Sequence, residues 1–164
     1  MVVGSVRDPD VDVRCAAMDA LCCMKPSSDE LVVSTFCQCC EDQHPRVRSK
    51  AAHLLASPPW WDNDSVLKAL RSCLRDPLPD VRSAVVEACG SEAPPKDKAL
   101  IVSMVERLGD EAGRVREAAL RAVCRMEDSG DPFVIGVLRD SPAIVRSRLG
   151  DVEARVRRAA ALAL

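Results

Sequence analysis

Aromatic side chains are nearly missing from this sequence of 164 residues: tyrosine is absent, and only Phe36, Trp60, Trp61 and Phe133 occur. A core so poor in aromatics has to be built from Val, Leu, Ala, Ile and Cys at close range, which suits helix packed on helix. Excess charge of either sign is lacking as well. Twenty-five acidic and 23 basic residues leave a net charge of −2, which makes no electrostatic case for a phosphate backbone or an anionic membrane, so no nucleic acid is expected as a partner. No apolar run approaches the roughly 18 residues that cross a bilayer. The opening Met-Val-Val-Gly-Ser-Val-Arg-Asp has neither the basic start nor the apolar stretch of a secretory signal. Histidine occurs only as His44 and His53. No Ser, His and Asp arrangement can be assembled, and no Gly-rich phosphate loop is present, so no catalytic residue, cofactor or small-molecule substrate is expected.

Cysteine is what the chain has in plenty, nine in all. An odd number scattered through helical patterns favours a reducing compartment such as the cytoplasm. Cys22, Cys23, Cys37, Cys39 and Cys40 invite a metal reading, since four converging thiolates would hold zinc or an iron–sulfur cluster. Placed on antiparallel helices, the two groups fall at opposite ends, roughly 12 Å apart at 1.5 Å per residue. Cys40 also aligns with Leu74 and Leu108, and Cys39 with Cys73, so both are read as small core residues and no metal is expected.

One phrase organises the chain. Asp, four residues, then Val-Arg occurs as Asp8/Val13-Arg14, Asp42/Val47-Arg48, Asp76/Val81-Arg82 and Asp110/Val115-Arg116, each copy 34 residues after the last. A segment this short cannot bury its own apolar face, so the copies must stack and share a core. Behind each Val the apolar residues recur at intervals of four: Val13, Ala17, Leu21; Val47, Ala51, Leu55; Val81, Val85, Cys89; Val115, Ala119, Val123. Ahead of each later Asp lies a second amphipathic stretch, marked by Val33, Phe36 and Cys40, then Leu67, Leu70 and Leu74, then Ile101, Met104 and Leu108. Pro9, Pro45, Pro77 and Pro79, and in the fourth copy Gly109 and Gly113, reset the direction in between. The expected fold is all-α, a solenoid of stacked antiparallel helix pairs in a single domain. Its repeats fall at about 1–25, 26–58, 59–93, 94–128 and 129–164, joined by short polar connections such as Lys25-Pro26-Ser27-Ser28 and Ala93-Pro94-Pro95.

The inner-turn Asp, the Val-Arg that opens the second helix and the Ala-rich run Val115-Arg116-Glu117-Ala118-Ala119-Leu120 resemble HEAT repeats, in particular the compact HEAT-like kind also found in phycobilisome lyases. The resemblance covers nearly the whole chain. It implies a structural ladder in which the turn Asp and the Arg six residues later bond between adjacent repeats, carried here by Asp8, Asp42, Asp76 and Asp110 and by Arg14, Arg48, Arg82 and Arg116. A carboxylate beside free helix N-terminal amides and a guanidinium fork is a charge-assisted pairing. Tetratricopeptide repeats share the period, but their Trp, Gly, Tyr and Phe signature is missing. The di-iron hydroxylases built from HEAT repeats carry His-Glu pairs, and this sequence has none.

Both ends read as cut. Only seven residues precede Asp8, and Ala159-Ala160-Ala161-Leu162-Ala163-Leu164 stops inside an apolar helix without a cap. A fragment of a longer solenoid, or ends covered by a partner, is therefore expected. The last region is out of phase, since Arg107-Leu108-Gly109-Asp110 returns as Arg148-Leu149-Gly150-Asp151 after 41 residues. Either a first helix is broken near Ser141-Pro142, or Asp140 with Val145-Arg146 makes a compressed extra repeat.

The resemblance implies a non-enzymatic scaffold that binds a partner protein along a concave surface of second helices, within a larger assembly. The alternative is a phycobilisome-lyase-like chromophore lyase or its subunit. Two and six residues after each Val the pattern points outward, giving Cys15, Ser49, Ser83 and Glu117, and Asp19, His53, Glu87 and Arg121. Of these, Ser49, His53, Ser83, Glu87, Glu117 and Arg121 are the candidate partner contacts. Trp60 and Trp61 join them at an edge, either as a projecting hot spot or folded down over the core.

Overall fold

The computed structural model describes residues 2–24, 30–56, 60–91, 97–128, 130–139 and 142–162. The connections read around Pro26, Pro58-Pro59 and Pro94-Pro95, and Asp140 and Ser141, lie outside the described residues. Among those described every regular element is helical, with no strand. The chain divides into two compact units, 1–85 and 86–164.

In the first unit, α1 (Val2–Ser5) packs on α2 (Val11–Cys23), and α2 on α4 (Pro45–Leu55). α3 (Glu30–Cys39) packs on α4 and on α5 (Asp64–Cys73). First helices α3 and α5 thus lie in one layer and second helices α2 and α4 in another. Each start has a local cause. Asp10 caps α2 by accepting from the amides of Asp12 and Val13, and Asn63 caps α5 in the same way. His44 caps α4 through Nδ1, with Pro45 at the first helical position, where its missing N–H costs nothing. The unit boundary falls inside α6 (Pro79–Cys89).

The second unit holds α7 (Lys98–Glu106), α8 (Gly113–Asp128), α9 (Pro132–Arg139), α10 (Pro142–Ser147) and α11 (Ala154–Leu162). Short 3-10 turns at Arg107–Gly109 and Arg148–Gly150 lead into the two inner turns. α8 packs on α11 and also on α7 and α9. The seven added residues are taken up by α9 and α10, two short helices before the turn at Asp151.

The recurring apolar residues close the core. Val47, Val81, Val115 and Val156 are 0% exposed, as are Phe36, Leu70 and Met104 in the first-helix layers. Val13 departs from the expectation at 41% exposed. Cys15, read as outward, is 6% exposed. Cys22 and Cys23 are exposed, whereas Cys39, Cys40, Cys73 and Cys89 pack as core residues. Among the described residues no cluster of three or more His, Cys, Asp or Glu converges on a common point.

Gly90 shows how closely the second unit is packed. A Cβ there would lie 2.4 Å from the Cβ and 2.8 Å from the Cα of Ala122 on α8. Gly90→Ala therefore forces two backbones apart and is expected to cost about 1–3 kcal/mol, read from the urea unfolding midpoint.

Candidate functional site: the second-helix faces

What holds the second helices in place is a bonding pattern repeated at five turns. Oδ1 of Asp8, Asp42, Asp76, Asp110 and Asp151 accepts from the amide two residues on, at 2.8–3.0 Å, closing an Asx turn. The Arg six residues later, at positions 14, 48, 82, 116 and 157, donates Nη1 to the carbonyl of that same Asp at 2.7–2.9 Å. The rest of the guanidinium is then free to reach the following turn. Arg14 Nη2 bonds Asp42 at 3.0 Å, Arg48 grips Asp76 through Nε and Nη2 at 2.6 and 3.0 Å, and Arg116 grips Asp151 likewise at 2.8 and 2.6 Å. Arg14, Arg48 and Arg116 each thereby fix their own turn and position the next one.

Asp151 and Arg157 belong to this pattern, although the sequence, which shows Asp151 as an out-of-phase return, did not place them in the ladder. The signal was there, since Asp151 precedes Val156-Arg157 at the usual spacing, but 41 residues after the fourth copy instead of 34.

These rungs are electrostatically strong because they are dry. The Asp151 side chain is 2% exposed. The Arg116 hydrogen bond, opposed by burial and aided by the Glu153 amide and by Arg148, holds its carboxyl down at about 2 against an ordinary 3.8. Burial pushes Asp76 up, but the Arg48 bond and the Leu78 amide outweigh it and leave it below the ordinary value. A carboxyl whose folded value is depressed adds stability that is complete above the unfolded value and lost as pH falls through the folded one. For Asp151 that window runs from about pH 4 down to about pH 2. Urea midpoints measured across it should fall more steeply for the wild type than for Asp151→Asn, which carries no charge to protonate.

The rungs leave the outer faces of the second helices open. In the first unit Asp19 and His53 are exposed and Ser49 and Ser83 half-buried, and Lys50 of α4 reaches Asp19 of α2 at 2.6 Å. In the second unit Glu87 and Arg121 are exposed and Glu117 half-buried. Trp60 is half-buried, but Trp61 is 9% exposed. Trp61 is thus folded down into the protein, the second of the two placements left open by the sequence.

Two cavities of about 650 Å³ stand out. The one in the first unit lies along the inner turns, where Arg7, Arg14 and Asp42 are already engaged with Gln38, Asp42 and His44. The one in the second unit is a groove between α8 and α11. Glu117, Arg121, Cys124 and Arg125 line one side, and Ala154, Arg155, Arg158, Ala159 and Leu162 the other. It brings together Glu117 and Arg121, which the sequence had marked, with arginines that it had not. Carrying the register on to Val156 would have found two of its residues: two after it stands Arg158, six after it Leu162.

An all-α protein of stacked, turn-locked helix pairs is the class this geometry defines. A family model described as HEAT repeats matches residues 33–124, more than half of the sequence, and the chain belongs to the HEAT-repeat family. No curated protein matches it by sequence. Among solved structures it is similar to the complex of CpcE and CpcF of phycocyanin lyase from Nostoc sp. PCC7120, at 20% identity and a TM-score of 0.68, over 99% of this chain and 62% of that one. It is similar to a designed armadillo repeat protein in complex with the peptide (KR)4, at 17% identity and a TM-score of 0.67, over 99% and 78% of the two chains. An engineered protein matches at 18% identity and a TM-score of 0.65, over 99% and 76%. At these identities the likeness is one of fold. No described helix is long and apolar enough to cross a membrane.

Proposed function

We propose that this chain is a non-enzymatic scaffold that binds a partner protein along its second-helix surface. The observation that carries the reading is the groove between α8 and α11, an open cavity of about 650 Å³ flanked by helices that the Arg116–Asp151 rung holds in register. Side chains on a surface fixed in this way lose little freedom when a partner docks, so more of the contact energy appears as affinity. Ser49, His53, Ser83, Glu87, Glu117 and Arg121 contact the partner, with Trp60 at an edge. Neighbours of the same fold that are described in complex with a peptide or with a second subunit support a protein as the ligand class. A reducing intracellular compartment fits the nine free cysteines.

The test is affinity capture followed by alanine substitution of the six second-helix residues. Binding should weaken while the helical circular dichroism is kept, and undiminished binding would place the interface elsewhere. The phycocyanin lyase likeness supports a second reading, a chromophore lyase or its subunit. It is checked by mixing the protein with a bilin and an apo-phycobiliprotein: formation of a covalent, visible-absorbing adduct would replace the scaffold reading.

A further inference from the structure

We infer that the groove between α8 and α11 takes an acidic peptide segment, with carboxylates on its arginines and small apolar side chains on its floor. The inference rests on the scaffold reading and specifies its ligand at one place. Four arginines line the groove against one glutamate, in a chain whose overall charge is −2. The excess is therefore local to this site. Glu117 is shared, with Arg121 at 2.5 Å and Arg155 at 3.9 Å, and Arg155 also turns to Glu153. Arg125 and Arg158 have no acidic partner among the described residues and stand exposed. A guanidinium is matched best by a carboxylate that accepts two parallel bonds.

The rest of the lining argues for peptide over other polyanions. Ala159, 8% exposed, supplies an apolar floor and Leu162, 80% exposed, an apolar edge that a phosphate backbone would not use. No aromatic side chain lines the groove to stack a base. Arg121 and Arg125 are one helical turn apart, about 6 Å along the axis. Alternate residues of an extended peptide are separated by about 6.6 Å, so two acidic residues in an i, i+2 relation can meet the two arginines in one pose.

The experiment uses the full chain and fluorescence anisotropy with four fluorescein-labelled octamers: alternating Ala and Glu, alternating Ala and Gln, alternating Ala and Lys, and oligothymidylate. The Glu peptide should bind at least about tenfold tighter than the Gln peptide. R125E/R158E should abolish that preference and turn it toward the Lys peptide. Both residues are exposed and without ion pairs among the described residues, so the variant should keep its helical circular dichroism. Equal binding of the Glu and Gln peptides, no Glu-peptide binding up to about 1 mM, oligothymidylate binding as tight as the Glu peptide, or a preference that survives R125E/R158E would each overturn the inference. Its failure is separable from that of the scaffold. A captured protein partner whose binding is lost with alanine at Ser49, His53 and Glu87 but kept in R125E/R158E leaves the scaffold standing and this groove without its ligand.

Discussion

Arg116→Ala is expected to destabilise the second unit by about 3 kcal/mol or more, the cost of leaving one partner of a buried pair alone. The number follows from what the substitution strands. Arg116 donates to two carbonyls of its own turn, Asp110 at 2.9 Å and Glu111 at 2.9 Å, and with Nε and Nη2 to both oxygens of Asp151. Removing the guanidinium leaves the Asp151 carboxylate, 2% exposed, with only the Glu153 amide at 3.0 Å and Arg148 at 3.3 Å as partners among the described residues. Arg116→Lys should recover little, because an ammonium cannot fill the planar fork. Adding Asp151→Ala to Arg116→Ala should restore part of the loss, since the stranded charge then disappears. The same change along the chain should have graded effects. Arg48→Ala breaks a two-bond grip of the same form, whereas Arg14→Ala breaks a single contact at 3.0 Å between side chains 12% and 16% exposed, and should cost the least. Urea unfolding followed by circular dichroism gives all of these differences on one scale. Equal losses at all three positions would mean that the rungs between turns contribute nothing beyond the bonds each Arg makes within its own turn.

The legible part of this molecule was whatever repeats at a fixed distance. Valine at the second-helix start, the Asp in the turn before it and the Arg after it are read directly, because one bonding geometry demands the same residue types at each copy. Legibility ended where the spacing changed. Asp151 and Arg157 play the same part as the other four pairs, yet α9 and α10 put them out of step, and with them went Arg158 and half of the groove. Outwardness inferred from register also fails at Cys15, which is 6% exposed. Trp61 was undecidable for another reason. An indole in a Pro-rich connection has no periodicity to say which way it turns, and only tertiary packing turned it inward.

Val47→Asp should destabilise the first unit by more than about 4 kcal/mol, whereas Val13→Asp should change its stability by less than about 1 kcal/mol. The two residues occupy the same place in their helices. Val13 is the third residue after the cap Asp10, and Val47 the third after the cap His44. Whatever the substitution does locally is therefore common to both: the lost β-branched side chain, the lower helix propensity of Asp, and the favourable meeting of a carboxylate with free N-terminal amides. Only the surroundings differ. Val47 is 0% exposed in the packing of α4 on α2, α3 and α5, so a carboxylate there would be buried in an apolar layer with no counter-charge designed to meet it. Val13 is 41% exposed, so the same carboxylate keeps its water. Subtracting one unfolding free energy from the other removes the helix-terminal terms and leaves the value of burial at this repeat position. A difference below about 2 kcal/mol would mean that α4 is not sealed between its neighbours, and that the shared core on which the stacked fold depends is looser than its packing indicates.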